Sequence, residues 1–232
     1  MKSHMLALLT FGICAAGLLV AQVYPHAFPR EGAKKLFEND RVAAWEVTWK
    51  KNVLQPIHRH LYDMAGVYLR YGAINVTTPE GRVSPSRPFE VPRSYFQLRA
   101  ITHKEEGVGG PDDPERLAIM LDLKEPEATG AVAKSDMPPA FPRDGAVMTL
   151  DNPRVRMWDY TWIVNQPVPM HIHERDSVEV YVTGGTLLRR TADGKEETRT
   201  VATKDARFVP QGRIDSEEAL SGSPRAITIE LK

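Results

Sequence analysis

An internal repeat is the feature that most constrains how this chain can fold. Residues 27–33, with the sequence Ala-Phe-Pro-Arg-Glu-Gly-Ala, recur at residues 140–146 as Ala-Phe-Pro-Arg-Asp-Gly-Ala. The offset of about 113 residues continues without a gap for about 55 positions, of which about 22 are identical. Because the units of solenoid repeats run to roughly 20–50 residues, a period this long predicts two copies of a whole domain.

The residue pattern within each repeat predicts β-strands. In residues 42–49 the apolar side chains of Ala43, Trp45, Val47 and Trp49 alternate with a period of two, so they share one face of a strand. Turn sequences follow at residues 78–81 and 192–195. About 100 residues of short strands per repeat therefore predict an all-β fold that closes into a barrel or a double sheet.

The first 22 residues predict a secretory signal peptide, because Lys2 precedes an apolar run over residues 5–21. We therefore expect a secreted or periplasmic protein that has no membrane contact after cleavage. An uncleaved anchor is the alternative, since about 17 apolar residues is the short limit for a membrane span. The other boundaries predicted are a first domain at 23–125, a linker at 126–139 and a second domain at 140–232.

Charge and cysteine content narrow the possible partners and ligands. The formal net charge is zero, so the chain has no electrostatic footprint for nucleic acid, and none is expected as a partner. The only cysteine, Cys14, lies within the predicted signal peptide. The mature chain would therefore have no disulfide and no thiolate ligand, and any metal must be held by His, Asp or Glu.

Two His-x-His sequences occur at matching positions of the repeat: His58 with His60, and His171 with His173. Residues i and i+2 of a strand point to the same face, so each pair of imidazoles is expected to enter one interior. Two neutral imidazoles on one face are a natural start for a transition-metal site. A single His-x-His is a weak signal, but its repetition at the same place strengthens the prediction.

At these positions the sequence resembles the cupin family. The first motif of that family is a glycine, His-x-His, a glutamate three or four residues later and another glycine, and the second is Pro-x-Gly-x-x-His. Residues 207–215, Arg-Phe-Val-Pro-Gln-Gly-Arg-Ile-Asp, are similar to the second motif, with Asp215 where the family has histidine. The matching residues 95–103 keep His103 in register. The resemblance implies two tandem cupin barrels of the double-stranded β-helix, or jelly-roll, type that arose by internal duplication.

The chain departs from the family pattern at the motif glutamate, which is replaced by Met64 and Ser177. Asp63 and Asp176 stand one position earlier and would need a bulge to turn inward. The resemblance implies a divalent transition metal, Fe, Mn, Zn, Ni or Cu, in one barrel or both. The candidate metal ligands are His58, His60 and His103 in the first repeat and His171, His173 and Asp215 in the second. Possible pocket residues are Asp63, Tyr68, Asp176 and Tyr181.

Several functions remain open from the sequence. The resemblance implies a metal-dependent oxygenase or isomerase that acts on a small organic molecule. The alternatives are a non-catalytic barrel that binds a sugar or small acid, a storage-like structural barrel, and vestigial sites in which His and Asp only hydrogen-bond to each other. A homodimer is possible. Arg30 and Arg143 are interpreted as closing the barrel entrance, and the Glu105, Glu217 and Arg189 side chains as solvated surface.

Overall fold

The computed structural model describes residues 23–124 and 135–232, and these residues form strands, turns and irregular segments. The predicted signal peptide and residues 125–134, which include most of the predicted linker, lie outside the described residues. Within the two described ranges, no helix has the length and apolar character needed to cross a membrane.

The first barrel consists of nine strands that form two sheets. The larger sheet has the order β1-β2-β9-β4-β7 and the smaller one the order β3-β8-β5-β6. The strands are β1 (Ala33–Glu38), β2 (Val42–Trp49), β3 (His58–Arg59), β4 (Asp63–Arg70), β5 (Ile74–Thr77), β6 (Val83–Pro85), β7 (Arg93–Gln97), β8 (Thr102–Gly107) and β9 (Arg116–Leu123). All of the strand pairs are antiparallel.

The second barrel has seven strands in one continuous antiparallel sheet. They are β10 (Val147–Asp151), β11 (Val155–Thr161), β12 (Val168–Ile172), β13 (Ser177–Thr191), β14 (Glu196–Val201), β15 (Ala206–Val209) and β16 (Ile214–Leu231). The long strand β16 takes the place of β8 and β9, which residues 108–115 separate in the first barrel. The prediction of an all-β fold of barrel type is confirmed.

Asparagines stabilise the backbone turns before β2 and before each His-x-His segment. The Asn39 side-chain oxygen accepts hydrogen bonds from the backbone N–H groups of Arg41 and Val42, which starts β2. Further along, Asn52 and Asn165 have φ angles of 59° and 65°, in the left-handed region. Asparagine tolerates that region better than other residues with a Cβ atom, which explains why it can stand where the cupin motif has glycine.

The two barrels share one hydrophobic core. The β-sheets of both barrels contribute fully buried side chains to it, such as Ile119 and Leu121 from the first and Ile227 and Ile229 from the second. Burial of apolar surface is the dominant favourable contribution to folding, so this shared core joins the barrels into one packed body. The larger sheet of the first barrel thus has one face toward the second barrel and the other toward its own interior.

Two reciprocal ion pairs border the shared core. Arg154 of the second barrel pairs with Asp63 of the first at 3.0 Å, and Arg41 of the first pairs with Asp176 of the second at 3.5 Å. Both carboxylates also accept a backbone N–H from their own barrel, from Arg99 and from Gln211. Asp63 and Asp176 therefore connect the barrels and hold the loops that precede His103 and Asp215.

Candidate metal centres

Strand pairing assembles the histidine group of the first barrel. His58 on β3 lies directly opposite His103 on β8 in the antiparallel register, and His60 follows two residues after His58. Each pair of imidazole rings has its centroids 5.1 Å apart, with interplanar angles of 75–88°. The three ligand atoms lie within 4.8 Å of one another. The structure thus brings together the three histidines predicted for this barrel.

The imidazoles of this group are buried and neutral. Burial lowers the pKa of His58 to about 4 and the pKa of His60 to about 3, and it also lowers the pKa of His103. Nδ1 of His58 lies 3.2 Å from the Pro56 carbonyl oxygen and donates to it, so Nε2 carries the lone pair. Among the described residues this buried Nε2 has no hydrogen-bond partner. A neutral imidazole with a free lone pair is the form that binds a metal.

These depressed pKa values predict how the metal-free protein responds to pH. The unfolded histidines titrate near 6.5, so between pH 7 and pH 5 the unfolded state binds more protons than the folded state. The stabilisation is present above about pH 6.5 and is lost as pH falls toward the folded pKa values. We expect urea unfolding of the metal-free protein to show a loss on the order of 2 kcal/mol from pH 7 to pH 5 for each histidine whose pKa is depressed in this way. His60→Gln should flatten this dependence, and an unchanged slope in the variant would contradict it.

Glu105 adds a buried negative charge beside the histidines. It follows His103 by two residues on β8, and its carboxylate lies 3.6 Å from Nε2 of His103. Arg30 donates a 2.8 Å hydrogen bond to the other carboxylate oxygen. Burial is the largest single influence and would raise the pKa of Glu105, but the Arg30 guanidinium and the three histidines together outweigh it and hold the pKa below its usual range. The interpretation of Glu105 as solvated surface was wrong, since it is a buried, ionised neighbour of the group.

The second barrel holds a similar group with a different third member. His171 on β12 lies opposite Asp215 on β16. Nε2 of His171 and Nε2 of His173 are each 3.5 Å from Oδ1 of Asp215. Within the described ranges, none of these three buried atoms has a hydrogen-bond partner. Burial lowers the pKa of His171, so the group contains at least one neutral imidazole beside a carboxylate oxygen.

Both groups fit a divalent transition metal by the chemistry of their donors. Imidazole nitrogen suits Zn, Cu, Fe and Ni, and two histidines with one carboxylate form a set typical of non-haem iron. Buried polar atoms are normally hydrogen-bonded, whereas His58 Nε2, His171 Nε2 and Asp215 Oδ1 all lack a partner in the described part of the chain. An ion at the centre of each group would satisfy them.

Charged side chains fill the interior of the second barrel next to its group. Arg189 on β13 is 2% exposed and pairs with both Glu179 and Glu217, the latter at 2.7 Å. Glu217 also accepts hydrogen bonds from Arg143 and from Trp162 Nε1, each at 2.9 Å. The interpretation of Arg189 and Glu217 as solvated surface was therefore wrong. The space between Tyr181, Leu187 and Arg189 is too narrow to admit a water molecule.

The first barrel instead contains a cavity beside its histidine group. Its volume is about 360 Å³, and His103 and Glu105 form part of its wall. Tyr68, a predicted pocket residue, lines it together with Phe89 and Tyr95. At the repeat position of Arg189 the first barrel has Val76, whose smaller side chain leaves this space open. A volume of this size lies within the range of small-molecule sites, roughly 300–1,000 Å³.

The remaining predicted pocket residues lie elsewhere. Asp63 and Asp176 face the opposite barrel, because Arg154 and Arg41 hold their carboxylates there, and they join neither group. Tyr181 is buried in the filled interior of the second barrel, where its hydroxyl donates a 2.7 Å hydrogen bond to Glu179.

Facing antiparallel sheets that enclose two buried histidine groups define a protein with the cupin fold and candidate metal centres. AerE from Microcystis aeruginosa is similar with a TM-score of 0.58 and 12% identity, covering 90% of this chain and 99% of AerE. A cupin 2 conserved barrel domain protein from Leptotrichia buccalis has a TM-score of 0.51 and 11% identity, with coverages of 86% and 88%.

Oxalate decarboxylase from Bacillus subtilis, described with Mn(II) centres, has a TM-score of 0.56 and 10% identity. The similarity covers 83% of this chain and 69% of that enzyme. At these identities the likeness shows the fold. No protein-family model matches the sequence, and no curated protein matches it.

Proposed function

We propose that this chain is an exported, metal-dependent enzyme whose first barrel acts on a small organic molecule. His58, His60 and His103 would hold a divalent transition metal. The observation that carries the proposal is the convergence of three buried imidazoles, one of which, His103, lines a cavity of about 360 Å³. Oxygenase or isomerase chemistry is the class that the cupin resemblance implies.

The residues of the first barrel supply what such a site requires. Three imidazoles leave coordination positions open for substrate or water. The ionised Glu105 provides a negative charge that favours a cation, and Arg30 keeps Glu105 in position. The wall of the cavity includes the aromatic side chains of Tyr68, Phe89 and Tyr95. A metal bound there would polarise a substrate oxygen or activate water or dioxygen.

The second barrel is proposed as a metal-binding partner without a substrate cavity. His171, His173 and Asp215 offer a complete donor set, whereas Arg189 and its two glutamates occupy the neighbouring interior. An origin of the two barrels by internal duplication is part of the proposal. Matching contacts support it: Trp45 Nε1 donates to Asp122 in the first barrel and Trp158 Nε1 donates to Glu230 in the second.

Export to the periplasm or the cell exterior is proposed from residues 1–22. Their apolar run after Lys2 is typical of a signal peptide, and the chain beyond them contains no cysteine that would require a reducing compartment.

The metal content of the purified protein tests the proposal. Elemental mass spectrometry is expected to find about two ions per chain. One of them should be lost in His58→Ala, whereas His26→Ala, which changes a histidine outside both groups, should retain both. His171→Ala should leave the first barrel's ion in place. No metal in the wild type after reconstitution with Fe, Mn, Ni, Cu and Zn would refute a metal-dependent enzyme and favour a ligand-binding or structural barrel.

A further inference from the structure

Two arginines are buried in the part of the chain that the structure describes, and they differ in their partners. Arg189 is 2% exposed and lies between Glu179 and Glu217. Arg116 is 4% exposed, yet no carboxylate of the described residues lies within 4.0 Å of its nitrogen atoms. Burying a charge is costly unless the charge is paired, so Arg116 is missing an anion.

The contacts of Arg116 hold its guanidinium in place without neutralising it. Nε donates to the Gly72 carbonyl oxygen and Nη2 to the Ser86 hydroxyl, each at 2.9 Å. The guanidinium carbon lies 5.0–5.4 Å from the ring centroids of Tyr68, Tyr71 and Phe89. All of these partners are uncharged. The guanidinium is therefore oriented in an aromatic enclosure before any ligand arrives, and it lines the cavity of the first barrel.

The other charges of the cavity that lack an ion-pair partner in the described ranges are also positive. Arg87 and Arg93 also line it, and neither forms an ion pair with a carboxylate in the described ranges. The one carboxylate in the wall, Glu105, is already paired with Arg30. The cavity therefore carries a net positive charge beyond the histidine group, which favours a negatively charged ligand.

We propose that the first barrel binds a small carboxylate with a flat, unsaturated or aromatic body. The carboxylate pairs with Arg116, and the body lies between the aromatic walls and extends toward His103. A guanidinium matches a carboxylate in planar geometry and can donate two parallel hydrogen bonds to it. The aromatic residues Tyr68, Phe89 and Tyr95 suit a flat body. This inference names the substrate class of the proposed function and rests on it.

Calorimetric titration of the metal-loaded and metal-free full chain tests the inference. The probes are benzoate and succinate, with benzamide and succinamide as neutral counterparts and inorganic phosphate as a different anion. We expect benzoate to bind at least ten times more tightly than benzamide, succinate and phosphate. Arg116→Met should weaken benzoate binding at least tenfold, while Arg82→Gln, an exposed arginine outside the cavity, should not change it.

A second variant provides a test of the inference in case Arg116→Met does not fold. Val76→Arg places an arginine at the repeat position of Arg189 and should abolish benzoate binding by filling the cavity. Equal binding of benzoate and benzamide, or tight benzoate binding to a folded Arg116→Met, would overturn the inference. So would preferential binding of phosphate or no binding of any probe. Benzoate binding to a chain that takes up no metal would refute the proposed enzyme while leaving this site intact.

Discussion

Replacing Arg189 with methionine is expected to lower the free energy of unfolding by about 3–5 kcal/mol. The methionine retains most of the side-chain length but removes the positive charge from the filled interior of the second barrel. Glu217 keeps its hydrogen bonds from Arg143 and Trp162, so the loss falls mainly on Glu179. The only other side-chain donor to Glu179 among the described contacts is the Tyr181 hydroxyl. A buried carboxylate left without its cation is strongly destabilising.

Urea unfolding at pH 7 measures this effect. The double variant Arg189→Met with Glu179→Met should recover most of the lost stability, because it removes both charges and fills the space with apolar atoms. Val76→Met, at the same repeat position in the first barrel, serves as the matched control and should change stability by about 1 kcal/mol or less. A loss below about 1 kcal/mol in Arg189→Met would show that Glu179 does not depend on this arginine.

Replacing Ile229 with alanine is expected to lower the free energy of unfolding by about 2–5 kcal/mol. Ile229 is fully buried in the core that the two barrels share, where side chains of β2, β4 and β9 pack against those of β11, β13 and β16. The truncated side chain removes apolar contacts and leaves a cavity that the surrounding sheets fill only in part. Since both barrels depend on this core, both should unfold together at the lower temperature.

Thermal unfolding followed by circular dichroism and by tryptophan fluorescence tests both parts of this prediction. The two probes should give one coincident transition in the wild type and in Ile229→Ala, shifted to a lower temperature in the variant. Leu54→Ala is the control, since Leu54 is 86% exposed and its truncation should leave the transition in place. Two separate transitions, with only one of them shifted, would show that the barrels unfold independently.

The sequence was sufficient to predict the all-β barrel fold and the composition of both candidate metal groups. Residues two apart on a strand share a face, so His58 and His60 had to enter one interior, and the repeat required the same of His171 and His173. The alignment of the second motif supplied the third member of each group. The register that places His58 opposite His103 follows from antiparallel pairing between β3 and β8.

The charged residues that are buried in the interior of each barrel were not predicted, because their burial depends on partners that are distant in the sequence. Glutamate and arginine are mostly exposed in proteins, which favoured a surface interpretation of Glu105 and Arg189. Glu105 is buried because Arg30, 75 residues earlier, pairs with it. A signal was present, since Glu105 follows the inward-facing His103 by two residues and shares its face. For Asp63, no local pattern indicates that its partner, Arg154, belongs to the other repeat.

Val76 in the first barrel stands at the repeat position of Arg189 in the second, and this difference indicates how the scaffold can be altered. The two barrel interiors lie in one packed body, yet the space in each depends on side chains that do not belong to the shared hydrophobic core. The double substitution Arg189→Val with Glu179→Gly, which introduces the residues that the first barrel has at these positions, could therefore enlarge the interior of the second barrel. The cavity of the first barrel would stay unchanged. In such a variant the first barrel can keep its ligand while the second barrel is altered to bind a new one.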